Sequence, residues 1–160
     1  MPLLGIALLV GLWLALGNPD RAPQVSFTTL DGKQIALSEL KGRIVLVNFW
    51  ATSCPGCIKE MPGLVESYKR YQEKGFEVVA VAMSYDPPSH VVSYTKKNGL
   101  PFPVVLDSDG GLAMAFNDVQ VTPTSIIIDQ QGRIVQRVIG ELDFPALHAI
   151  LDKKLGRNAS

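Results

Sequence analysis

Residues 43 to 50 read RIVLVNFW, and soon after that run the hydrophobic period changes. A stretch almost continuous in β-branched, aliphatic and aromatic residues has no polar face. It predicts a strand buried on both sides, as in a parallel sheet covered by a layer on each face. From Cys57 onward the apolar positions Cys57, Met61, Leu64, Tyr68 and Tyr71 fall at steps of four, three, four and three. That spacing predicts an amphipathic helix ending near Gly75. FEVVAVAM, from Phe76, then reads as a second buried strand. A buried strand, a helix and another buried strand confine the chain to α/β architectures.

The remaining segments extend this pattern. VSFTTLDGKQIAL predicts a hairpin around Asp31-Gly32, followed by a brief turn that Ser38 is placed to cap before Gly42. Ser89 to Asn98 reads as a helix closed by Gly99, FPVVLD as a short strand, and Leu112 to Phe116 as a short helix. TSIIID and RIVQRVI form a hairpin through Gln130-Gln131-Gly132, and Asp143 is placed to cap a last helix through Leu147, Leu151 and Leu155. The expected domain spans residues 24–157, with NPDRAP (18–23) as a linker ahead of it.

Residues 2–17, PLLGIALLVGLWLALG, differ from all of this in carrying no charge and no helical stripe. As a helix they would be about 24 Å long, short of the roughly 30 Å hydrocarbon core but able to span with local thinning. A cleaved signal with Ala15-Leu16-Gly17 as its small-x-small site competes with an uncleaved anchor, and a buried core helix is a third reading. No Lys or Arg precedes the run. Residues 1–17 are read as a membrane anchor or signal segment, with the anchor preferred.

Fifteen basic and fifteen acidic residues cancel in 160, and the basic ones are scattered, which argues against a nucleic-acid partner. The chain holds two cysteines, Cys54 and Cys57, separated by Pro55-Gly56. A structural zinc site wants four ligands, and only the isolated His90 and His148 could join them. Both histidines read as helix-surface residues. A purely structural disulfide would close a four-residue loop, worth roughly 2 kcal/mol and unneeded by a core this size. Copper(I) ligation by two thiolates stays open. A redox couple fits the context best. Cys54 falls where a buried strand hands over to a helix, and helix N-termini favour a thiolate. Cys57, one turn on, falls within bonding distance, and Pro55 suits the first helical turn.

KGRIVLVNFWATSCPGCIKEMP resembles the active-site strand and helix of thioredoxin-fold proteins, specifically the TlpA/ResA-type branch of exported thiol-disulfide oxidoreductases. FEVVAVAM, FPVVLD and VQVTPTSIIIDQQGRIV agree as well, and the similarity runs from about Val25 to Leu155. The resemblance implies a thioredoxin-like fold: a central mixed sheet, helices on both faces and an N-terminal β-hairpin extension. Cys54 and Cys57 would be catalytic. Pro123 would be a cis-proline facing them, and the backbone of Thr122 would hold an extended client strand. Pro62 falls where relatives kink the active-site helix, since it cannot donate to the Ile58 carbonyl. Trp50 is expected to pack beside the redox site and to contribute to substrate binding.

The sequence departs from that family in several places. Asn48 stands where thioredoxins proper carry a buried aspartate, and Ser53 replaces the tryptophan before the first cysteine. Pro55-Gly56 reverses thioredoxin's order and lacks the histidine of oxidising relatives. Asp86 is beside, but not on, the position where many relatives carry a glutamate. Lys59 and Glu60 read as a solvated helix face, which leaves Cys57 with no assigned proton acceptor. The implied activity is disulfide exchange with protein clients, needing no organic cofactor or metal. The branch acts mostly as a reductant, in cytochrome c maturation or on similar thiols. It works at the periplasm or another extracytoplasmic face and is recharged by a membrane electron donor. A copper(I)-binding chaperone and a thiol peroxidase, the latter suggested by Thr52 two residues before Cys54, are the alternatives.

Overall fold

A computed structural model describes residues 21–156. The apolar run 2–17 therefore lies outside the described residues. Among those described, no helix is long and apolar enough to cross a membrane. The chain opens with a hairpin of β1 (Ser26–Thr28) and β2 (Gln34–Ala36), turning at Gly32 with φ of 83°. A short 3₁₀ turn, Leu37–Leu40, follows. Ser38 lies inside that turn and does not cap it; the Glu39 carboxylate accepts the Ala36 amide at 2.8 Å, because a longer side chain can reach back.

Next come β3 (Ile44–Trp50), α1 (Pro55–Tyr71), β4 (Phe76–Ala82), α2 (Pro88–Asn98), β5 (Val104–Leu106) and α3 (Gly111–Ala115). The chain closes with β6 (Thr124–Ile128), β7 (Ile134–Ile139) and α4 (Phe144–Leu155). The five-stranded sheet has the order β5-β4-β3-β6-β7. β3 pairs parallel with β4 and antiparallel with β6, so the sheet is mixed with β3 at its centre. All seven residues of β3 are buried, as a strand covered on both faces requires.

Alternation along β3 divides the core. Ile44, Leu46 and Trp50 face a layer containing Met61, Leu64 and Tyr71 of α1, Val91 of α2, and Leu147 and Leu151 of α4. Val45, Val47 and Phe49 face the opposite layer, built from Phe27, Leu37, Ala113 and Phe116. The N-terminal hairpin and the short α3 thus complete the second face. Residues 21 and 22, expected in the linker, lie against the domain: Arg21 bridges to Arg133, and the Ala22 amide donates to the Gly132 carbonyl at 3.0 Å.

Helix α1 runs unbroken through the exposed Pro62. The next residue, Gly63, is where Phe144 of α4 packs: a β-carbon there would lie 2.4 Å from the ring. Further along, His148 of α4 meets Ser67 of α1, Nε2 to Oγ at 2.8 Å, and its ring lies against Tyr71 and Phe144. His148 is therefore a half-buried helix–helix contact rather than the surface residue its sequence context suggested. His90 is exposed, as expected.

Candidate active site

The carboxyl end of β3 delivers the chain into α1 through a tight turn. The Cys54 amide donates to the Ala51 carbonyl at 3.2 Å, and Cys54 becomes the N-cap of the helix with Pro55 directly after it. The Cys54 sulfur accepts the Cys57 amide at 3.2 Å, so one of the unpaired N–H groups of the first turn points at it. Cys54 and Cys57 are joined as a disulfide, with Cα atoms 5.3 Å apart. The two sulfurs are not equivalent in access. Cys54 is partly exposed, whereas Cys57 is fully buried in the core beside Trp50 and Met61.

One turn beyond Cys57, Glu60 is only 3% exposed, against the expectation of a solvated face. Its carboxylate is held at both oxygens. Asn48 Nδ2 donates to Oε1 at 2.9 Å, and the Leu142 amide donates to Oε2 at 3.0 Å. Burial pushes the Glu60 carboxyl above the ordinary 4.5, the two hydrogen bonds oppose that rise, and the nearby Glu141 charge adds to it. Asn48 is itself completely buried and also donates to Ser125 Oγ at 3.0 Å, while its Oδ1 has no partner among the described residues. A buried orphan oxygen costs about 1–3 kcal/mol. Periodicity could have located Glu60: residues 57, 60, 61, 64, 67 and 71 are the buried face of α1. Lys59, by contrast, is exposed and pairs with Glu141 at 2.7 Å.

Two loops flank the disulfide. The Thr122–Pro123 peptide is cis, Pro123 is buried and Thr122 is partly exposed. Neither the amide nor the carbonyl of Thr122 takes a backbone partner among the described residues. A β-carbon on Gly56 would lie 3.5 Å from Pro123 Cδ and 3.4 Å from Glu141 Cγ, so the dipeptide between the cysteines sits in a narrow slot between those residues. The segment after β4 reaches the cis-proline loop and the turn before Cys54. Tyr85, 57% exposed, places its hydroxyl 3.2 Å from Thr122 Oγ1. Asp86, buried, accepts from the Thr52 amide and hydroxyl, each at 2.6 Å.

The structure thus brings Cys54, Cys57, Thr122 and Pro123 to one end of the sheet. Trp50 joins them only from beneath. It is fully buried against Tyr94 with ring centroids 5.4 Å apart, and offers a client no surface, because β3 ends with that side chain turned into the core. Thr52, the residue that suggested a peroxidatic site, has its hydroxyl engaged by Asp86.

A cysteine pair spanning the first turn of a helix, after the central strand of a mixed sheet and opposite a cis-proline loop, defines a thioredoxin-like dithiol–disulfide exchanger. The chain belongs to the redoxin family, whose model matches residues 17–151. It is 39% identical over 132 residues to the thiol-disulfide oxidoreductase ResA of a Bacillus cereus strain, covering 82% of this chain and 75% of that protein. ResA of Bacillus subtilis (strain 168) is 38% identical over 134 residues, covering 84% and 74%. Among solved structures, a thiol:disulfide interchange protein of the thioredoxin family from Chlorobium tepidum TLS superposes with a TM-score of 0.78 at 32% identity, over 87% of this chain and 98% of that one. The protein is a thiol-disulfide oxidoreductase of the TlpA/ResA type.

Proposed function

We propose that the chain is an extracytoplasmic, membrane-tethered reductant of protein disulfides, with Cys54 as nucleophile, Cys57 as resolving thiol and Glu60 as the acceptor of the Cys57 proton. The difference in access between the two sulfurs carries this reading: Cys54 is partly exposed at a helix N-terminus, and Cys57 is buried one turn above a buried carboxylate.

In the reducing direction the Cys54 thiolate attacks a client disulfide. A sulfur–sulfur bond forms between Cys54 and the client, and the first client sulfur leaves as a thiolate. Cys57 then yields its proton to Glu60 and attacks Cys54. The intramolecular disulfide closes, and the second client sulfur leaves and takes up a proton. Two electrons have passed to the client. A donor dithiol reverses the sequence, and the resemblance points to a membrane electron donor for that step. Thr122, whose amide and carbonyl take no backbone partner among the described residues, would hold the client strand across Cys54 next to Pro123, and Trp50 supports the site from below.

Glu60 supports the direction of transfer. A buried carboxylate one turn along the helix from Cys57 disfavours a thiolate there and so the reduced form, and a couple with a poorly stabilised reduced form is a strong reductant. The apolar run at residues 2–17 supports export and tethering. The kinship with ResA-type proteins supports cytochrome c thiols or similar clients. A Cys57→Ser variant tests the assignment. It is expected to accumulate mixed disulfides between Cys54 and client proteins, seen as thiol-labile bands on non-reducing gels. Equal trapping by Cys54→Ser would overturn the roles given to the two cysteines.

A further inference from the structure

The buried amide of Asn48 is incompletely bonded in a way that matches a change of protonation next to it. Asn48 lies within β3, and its cross-strand partner on β6 is Ser125. Both are fully buried. Asn48 Nδ2 donates twice, to Glu60 Oε1 at 2.9 Å and to Ser125 Oγ at 3.0 Å, while Oδ1 has no partner among the described residues. This arrangement suits an ionised Glu60, which only accepts. A protonated Glu60 must donate somewhere. Its other neighbour, the Leu142 amide, is a fixed backbone donor and cannot accept. Of the two residues bonded to the carboxyl group, Asn48 alone can exchange a donor for an acceptor, because its carboxamide presents oxygen instead of nitrogen on a half-turn. Ser125 can follow, since a hydroxyl both accepts and donates.

We propose that Asn48 is a positioning residue for the exchange reaction, its carboxamide rotating each time Glu60 gains or loses the Cys57 proton. With Glu60 ionised, Nδ2 faces Glu60 and Ser125, and Ser125 accepts. When the proton moves from Cys57 sulfur to Glu60, Oδ1 turns to accept both the new carboxyl O–H and the Ser125 O–H. Both states keep two hydrogen bonds on the side facing Glu60 and Ser125, and no backbone has to move. The charged group bearing on Glu60 from outside its own helix is Glu141, from the β7–α4 turn, and Glu141 is itself paired with Lys59 of α1. The inference rests on Glu60 being the proton acceptor.

Nuclear magnetic resonance of the reduced, full-length protein tests it without any substitution. The Asn48 side-chain NH₂ signals and the Glu60 carboxyl carbon are expected to titrate together, with one midpoint. An Asn48→Leu variant should move the Glu60 midpoint upward and slow release of a client peptide from its Cys54 mixed disulfide about tenfold, a fraction of what a general base supplies. If the Glu60 carboxyl titrates while the Asn48 amide stays still, and Asn48→Leu releases client at the unmodified rate, the inference on Asn48 is wrong and Glu60 stands. If Glu60→Gln also releases client at the unmodified rate, the Glu60 assignment falls, and Asn48 with it.

Discussion

Glu60 shows what a single burial can do to the chemistry of a neighbour. Its carboxyl is raised above 4.5 by loss of solvent, so it is a better base than a surface glutamate and lies one turn from a thiol that must lose a proton. The same shift makes a stability prediction. Because the folded value exceeds the unfolded one, the folded state holds the extra proton between the two, and stability falls as pH rises from the unfolded value through the raised one. Glu60→Gln removes that fall. Urea unfolding of the oxidised protein across a pH series should show the variant gaining on the parent through this window, with a constant difference above it. Lys59-Glu60 reads as a charged dipeptide, and that local context places the residue in solvent. The decisive fact is its phase on the helix, in step with Cys57 and Leu64. Asp86 is harder to read, because its partner Thr52 is 34 residues away and no local pattern reports it.

Among elements, α1 and its packing on α4 carry the site. The helix is legible from its apolar steps, as is its Cys54 start, because caps and periodicity are local signals; α1 itself ends at Tyr71, and a 3₁₀ turn, Gln72–Lys74, carries the chain on to Gly75 where the end was expected. The contact between Gly63 and Phe144 is not, since it depends on where α4 docks. Gly63→Ala would drive a methyl to 2.4 Å from that ring. We expect a loss of about 1–3 kcal/mol, the usual cost of overpacking, measured by chemical denaturation. The ring must shift to relieve the clash, and the loop carrying Glu141 and Leu142 leads directly into α4. The Glu60–Leu142 hydrogen bond is therefore expected to weaken along with stability.

At the scale of the whole molecule, the sheet is covered by two unequal layers. One is built from α1, α2 and α4; the other depends on the N-terminal hairpin and the short α3. The class of fold follows from β3 and β4, whose nearly continuous apolar runs demand cover on both sides. Which segment supplies the second cover does not, because the hairpin of β1 and β2 is announced by its Asp31-Gly32 turn but carries no local signal of the face on which it docks. Phe27, completely buried on that side, measures how much the hairpin matters. Phe27→Ala should cost about 3–5 kcal/mol in unfolding free energy, as for other large-to-small core changes. A loss under about 1 kcal/mol, well below that range, would mean the hairpin is an appendage rather than a layer.

The dipeptide Tyr85-Asp86 gives the molecule a constraint on how it can change. Tyr85 bonds the cis-proline loop at Thr122, and Asp86 bonds the turn that presents Cys54. Because the two residues are adjacent, an insertion or deletion in the loop after β4 displaces both contacts at once, so the length of that one loop is a shared setting for both sides of the site.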